Sequence, residues 1–161
     1  MQKTNAMRRL DAAKIPYEVL TYEVDESDLS GTHIAETLGL APETVFKTIV
    51  THGDKSGYRV FCLPVMAELD LKKCAVIAGD KRLELIPVKD ILSITGYIRG
   101  GCSPIGMKKA FPTVIHESAE HLSLIHVSGG LRGLQIRIEP KALARFVSAR
   151  FANIVHTDET H

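Results

Sequence analysis

The chain has 161 residues, 20 Lys and Arg against 19 Asp and Glu for a formal charge of +1, and 45% apolar residues. That content supports one packed domain over residues 1–161 and excludes a disordered or collagen-like chain, while near-neutrality disfavours wholesale coating of nucleic acid. With no CxxC spacing among Cys62, Cys74 and Cys102, no apolar run of the ~20 residues a membrane span needs and no signal-peptide core, the expectation is a cytoplasmic protein without membrane contact.

In chain order, Ala6, Leu10 and Ala13 recur at helical spacing over 4–14, and Pro16 ends the run. Residues 17–22 alternate like a strand, and the acidic stretch 23–28 reads as a loop. A short helix over 32–38 ends at Gly39. β-Branched residues predict a strand over 45–51, and 52–57 turns it into a second strand over 58–63. Asp70 can cap a helix over 71–78, with Gly79 just past its end. A short strand over 83–86 and a short helix over 88–94 follow, broken by Gly96. The segment Arg99-Gly-Gly-Cys-Ser-Pro-Ile-Gly106 is a shaped loop. Strands are expected at 113–116, 122–128 and 134–139, with Ser128-Gly-Gly-Leu-Arg-Gly133 as a second glycine loop. Pro140 suits the first turn of a last helix striped with Leu143, Phe146 and Val147. Short strands interspersed irregularly with helices give an α+β domain around a mixed sheet.

Charge divides unevenly along the chain. Residues 1–80 hold 9 basic and 12 acidic side chains, residues 81–161 hold 11 and 7, and the stretch 99–150 holds 8 and 3. That last stretch is either a solvated face or a local grip on phosphates.

Three places have the residue types that chemistry needs. Lys47 shares a strand face with Val45 and Ile49, while Phe46, Thr48 and Val50 form the other face, so both faces look buried around one ammonium group. It is either a desolvated amine in a site or an edge-strand lysine that reaches water and blocks aggregation. In the first glycine loop, Gly100, Gly101 and Ser103 can form an anion or oxyanion cradle, or simply a tight turn. The loop lacks the Lys-Ser/Thr that a nucleotide-triphosphate loop requires, because Met107 and Lys108 stand there. Cys102 invites a nucleophile reading but has no base beside it. His116 and His121 are five residues apart and miss the spacing of a helical metal site, so no metal is expected.

Val45-Phe-Lys-Thr-Ile-Val50, Arg99-Gly-Gly-Cys-Ser-Pro-Ile-Gly-Met-Lys-Lys109 and Val127-Ser-Gly-Gly-Leu-Arg-Gly-Leu-Gln-Ile136, in that order, resemble the YbaK/EbsC family. Its members are stand-alone relatives of the editing domain of bacterial prolyl-tRNA synthetases, and this chain is most similar to the YbaK type, the Cys-tRNA(Pro) deacylases. The resemblance implies an α+β fold with a mixed, partly barrel-like sheet flanked by helices, and hydrolytic clearing of mischarged tRNA without a cofactor. It puts the family's essential lysine at Lys47. It implies an oxyanion and substrate cradle at Gly100, Gly101, Cys102, Ser103 and Pro104, and a pocket at Tyr22, Thr48, Ser128, Gly129, Gly130 and Arg132. The route ascribed to such proteins is attack of the substrate's own cysteine thiol on its ester. A water-dependent deacylase for another small amino acid such as alanine, and a non-catalytic tRNA- or synthetase-binding module, are the alternatives. Prolyl-tRNA synthetase and the tRNA acceptor end are the implied partners. Cys102 departs from the aliphatic residue expected in that motif.

Overall fold

Residues 3–157 are described by the structure, a computed structural model. Thr4 caps helix α1 (Asn5–Ala12) by accepting the Met7 N–H, and Ala6, Met7 and Leu10 turn inward from it. Strand β1 (Glu18–Thr21) leads to helix α2 (Gly31–Leu38), which Ser30 caps and a left-handed Gly39 ends. Strands β2 (Phe46–Gly53) and β3 (Gly57–Pro64) form the expected hairpin. Its turn is tied down by Asp80, which accepts from Lys55 N–H, Ser56 N–H and Ser56 Oγ. Those bonds hold the Asp80 carboxyl far below the usual carboxylate range. Helix α3 (Leu71–Ala78) occupies the predicted residues, with Asp70 accepting from Lys72 and Lys73 N–H.

The next stretch is more broken than its sequence suggests. Strand β4 is only Glu84–Leu85, and the expected helix divides into a 3₁₀ turn at Val88–Asp90 and helix α4 (Ile91–Thr95). Strands β5 (Thr113–His116), β6 (Ile125–Ser128) and β7 (Leu134–Ile138) stand where strands were predicted. β6 starts three residues late, however, because a 3₁₀ helix at Glu117–His121 intervenes. Helix α5 (Pro140–Phe146) precedes strand β8 (Arg150–Ala152), which three residues are too few to announce by alternation.

The α+β expectation holds, and the sheet is mixed, but it is divided in two and neither part closes into a barrel. The larger sheet runs β4-β2-β3-β5-β8, antiparallel as far as β3 and parallel from there. The smaller, β1-β7-β6, is antiparallel throughout. They meet at a parallel bridge between Val45 and His126. His126 is fixed there on both ring nitrogens: Nδ1 lies 3.2 Å from the Thr44 carbonyl, and Nε2 accepts from Arg137 Nε at 2.9 Å. Arg137 in turn reaches Glu18 at 3.5 Å.

One core joins α1, α5 and the small sheet to a face of the large sheet, centred on Met7, Leu10, Ile105, Ile115, Ile125, Ile136 and Leu143. A second packs α3 against Phe61, Leu63, Val114 and Ile154 on the opposite face. Each such fully buried aliphatic side chain contributes about 1.5–3 kcal/mol of burial. The site lies where the first half of β2 leaves the larger sheet uncovered.

Candidate active site

β4 pairs with β2 only at Thr51 and His52, and the bridge to His126 engages only Val45. Between these points the outer edge of β2, from Phe46 to Ile49, has no strand neighbour among the described residues. Ile86 N–H donates to Val50 O on that outer side. By the alternation of an antiparallel ladder, the Thr48 N–H and C=O face the same way, without a backbone partner among the described residues.

A cavity of about 500 Å³ occupies this gap, within the range of small-ligand sites. Its walls are Val45 to Val50 of β2, Leu29 to Gly31 and Ile34 at the start of α2, Leu85, Ile86 and Ile91, Arg99, Gly100 and Cys102 of the first glycine loop, and Ser128 and Gln135 of the small sheet. Most of the lining is apolar. Its charged side chains, Lys47 and Arg99, are both cations, and no carboxylate or histidine among the described residues lines it.

Lys47 is half-buried and makes no hydrogen bond or ion pair among the described residues. Burial lowers its pKa from the ordinary lysine value, with Glu68 pulling weakly the other way. It also borders a second hollow, lined by Ala67, Glu68, Leu69 and Leu71. A desolvated amine with no partner, aimed between two hollows, is placed to meet a ligand's negative charge or ester.

Of the other residues singled out in the sequence, Thr48, Gly100, Cys102 and Ser128 line the cavity with Lys47. Tyr22, Gly101, Ser103, Pro104, Gly129, Gly130 and Arg132 do not, and most of them are engaged elsewhere. The Gly101 N–H donates to Ile98 O at 2.9 Å, so it is spent inside the loop. Ser103, fully buried beside the buried Pro104, accepts the Ile105 N–H at 3.2 Å. The Gly100 and Cys102 N–H groups have no acceptor among the described residues, and both residues line the cavity. The Cys102 thiol is pushed up to about 11 and the Cys62 thiol to about 12, both chiefly by burial. Both are therefore neutral thiols near pH 7 and poor nucleophiles.

The second glycine loop stands behind the first. A Cβ on Gly101 would come within 3.1–3.2 Å of the Leu131 and Arg132 backbone, so the two loops touch main chain to main chain. Arg132 Nε donates to Arg99 O at 2.8 Å, and Thr4 Oγ1 donates to Gly129 O at 2.6 Å. Tyr22 N–H donates to Gly133 O.

Gln135 is the residue that sequence reasoning missed. In Leu134-Gln-Ile-Arg-Ile138 it shares a face with Arg137, which reads as solvent-facing, yet it is only 3% exposed and its Oε1 has no partner among the described residues. A buried unpaired amide oxygen costs about 1–3 kcal/mol. No group of His, Cys, Asp and Glu suited to a metal converges among the described residues. No helix among them is long and apolar enough to cross a membrane.

An α+β scaffold with an uncommitted lysine and a glycine-loop donor at one mostly apolar cavity is the frame of an ester-clearing editing domain. The family model for the aminoacyl-tRNA editing domain matches residues 30–146, and the chain belongs to that family. A relative from Enterococcus faecalis (strain ATCC 700802 / V583), named "Putative Cys-tRNA(Pro)/Cys-tRNA(Cys) deacylase EbsC", is 48% identical over 153 residues, 95% of this chain and 93% of its own. Among solved structures, one titled "Crystal structure of a putative trans-editing enzyme for prolyl tRNA synthetase" is similar with a TM-score of 0.80 at 22% identity, covering 98% of this chain and 100% of that one. A hypothetical protein is similar with a TM-score of 0.87 at 17% identity, over 95% and 100% of the two chains. These two structural likenesses concern the fold.

Proposed function

We propose that this chain, acting as one domain in the cytoplasm, is a trans-editing deacylase that clears Cys-tRNA(Pro). The observation that supports this most is the half-buried, unpartnered Lys47 on the open edge of β2, inside a cavity without a carboxylate or histidine. The cavity itself supplies no general base beyond that amine, the Glu68 carboxylate lying in the adjoining hollow, and no activated protein nucleophile, since the buried Cys102 is a neutral thiol near pH 7. The reaction then draws its nucleophile from the substrate. The cysteine sulfur attacks its own ester carbonyl, a C–S bond closes a thiolactone, the C–O bond to the ribose 3′ oxygen breaks, and the thiol proton ends on that oxygen. Water afterwards opens the thiolactone to free cysteine. Intramolecular attack avoids the entropy cost of bringing two reactants together.

In this reading Lys47 grips the terminal nucleotide and orients the ester, and the Cys102 N–H, at the cavity wall beside Gly100, stabilises the carbonyl oxygen as charge develops. Thr48 and Ser128 line the aminoacyl side. Gly101, Ser103 and Pro104 shape the loop, and Tyr22, Gly129, Gly130 and Arg132 brace it. Prolyl-tRNA synthetase is the partner that such an editor serves, because small side chains of like size are discriminated weakly by binding alone.

Deacylation assays on Cys-tRNA(Pro) and Ser-tRNA(Pro) test the proposal. Lys47→Ala is expected to lose at least about 10²-fold in rate, with its melting temperature within a few degrees of the parent. The cysteine ester is expected to turn over far faster than the serine ester. Retained activity in Lys47→Ala refutes the lysine's role, and equal rates on the two esters refute attack by the substrate thiol.

A further inference from the structure

Gln135 poses a problem that the mechanism above leaves open. Its side chain is 3% exposed, its Oε1 is shut from water without a hydrogen bond among the described residues, and it lines the cavity. In β7 it pairs across the ladder with Ser128 of β6 and with Leu20 of β1. Ser128 lines the same wall, but its hydroxyl already accepts the Gly130 N–H at 3.2 Å. Leu134, Ile136 and Ile138, on the other face of β7, fill the main core. A glutamine in this place has no packing role that leucine or methionine would not fill better.

We propose that the Gln135 side-chain amide binds the α-amino group of the aminoacyl ester; this rests on the reading of the cavity as the aminoacyl site. The lining decides which ligand group suits it. The charged side chains of this cavity, Lys47 and Arg99, are both positive, and Glu68 lies in the adjoining hollow against Lys47, so the cavity itself offers an α-ammonium no counter-charge and the neutral amine is favoured. A carboxamide meets a neutral amine in both directions: its oxygen accepts an amine N–H, and its NH₂ donates to the nitrogen lone pair. The terminal torsion of glutamine is broad, so the amide can turn to the ligand without a strained rotamer. The contact makes a free amine a requirement, and the editor therefore spares tRNA whose aminoacyl group is acylated on nitrogen.

The test compares the parent with Gln135→Leu and Gln135→Met on Cys-tRNA(Pro) and N-acetyl-Cys-tRNA(Pro). A second readout is binding of the non-hydrolysable 3′-cysteinylamino-adenosine and its N-acetyl form. The parent is expected to prefer the free amine by about tenfold or more in kcat/KM and in Kd. In both variants that preference falls to about one through loss on the free-amine ligand, while the melting temperature holds or rises. Parent protein that handles the free and acetylated forms alike overturns the proposal. So do variants that keep the preference, whatever their absolute rate. Should the parent leave Cys-tRNA(Pro) intact yet bind the amine analogue selectively through Gln135, the deacylase reading falls and the Gln135 contact stands.

Discussion

The two glycine loops are alike in sequence and unlike in work. The first brings Gly100 and Cys102 to the cavity wall, with the Cys102 N–H left unspent. The second contributes only Ser128 to that wall, and its remaining groups hold other backbone in place: Gly129 O receives Thr4, Arg132 reaches Arg99 O, and Gly133 O receives Tyr22. A glycine pair beside a basic residue thus signals close backbone approach, but the approach can be to a ligand or to another loop. Only the neighbours across space tell which.

The contrast between a working loop and a bracing loop breaks most easily at their contact. Gly101→Val drives a side chain into main chain 3.1–3.2 Å away. It is expected to cost about 1–3 kcal/mol in denaturant melts and about 10²-fold in deacylation, because the cavity-lining donor shifts. A smaller effect is expected at the far end of the brace. Thr4→Val removes both the α1 cap and the bond to Gly129 O, lowering stability by about 1–2 kcal/mol while the folded protein deacylates at the parental rate. Arg132→Ala, losing the bond to Arg99 O and the exposed ion pair with Glu26, is expected to lose about 0.5–1.5 kcal/mol and a few-fold in rate. A loss of tRNA binding much larger than the loss of stability would instead place Arg132 on a phosphate.

The mildest probe is pH, acting at the seam between the sheets. Burial foremost, then the Arg137 charge, lower the His126 pKa, and the bond to Thr44 opposes them. As pH falls the unfolded chain takes up the proton first. The stability contribution is therefore complete above the ordinary histidine value of about 6.5 and is lost as pH drops through the lowered folded value. Melting temperatures between pH 8 and 5 are expected to fall toward acid, with a shallower slope in His126→Gln. His116, lowered mainly by burial, contributes to the slope that remains.

Local signals in the sequence were read with most success where one residue settles one turn. Asp70 and Gly79 bound α3, and the β-branched run 45–51 yields the hairpin strand. Lys47 stood out because an ammonium group interrupts two apolar faces, and the structure leaves it unpaired beside the cavity. The split of the sheet was not legible, since it depends on β4 stopping at two residues and on a bridge between Val45 and His126. Nor was the bracing role of Arg132, whose Nε finds a carbonyl 33 positions away. Gln135 was hidden by its own alternation, because a polar residue between leucine and isoleucine reads as facing water until the cavity wall is seen.

The pairing of β1 with β7 sets a timetable for the molecule. Glu18 and Arg137, opposite each other in that ladder, are 119 residues apart in the chain. The middle strand of the small sheet thus leaves the ribosome well after its neighbour β1, and closing so long a loop makes this pairing a slow event. Gln135 meets Leu20 of β1 only then, so its wall of the pocket is complete only after β7 has emerged and closed back onto β1.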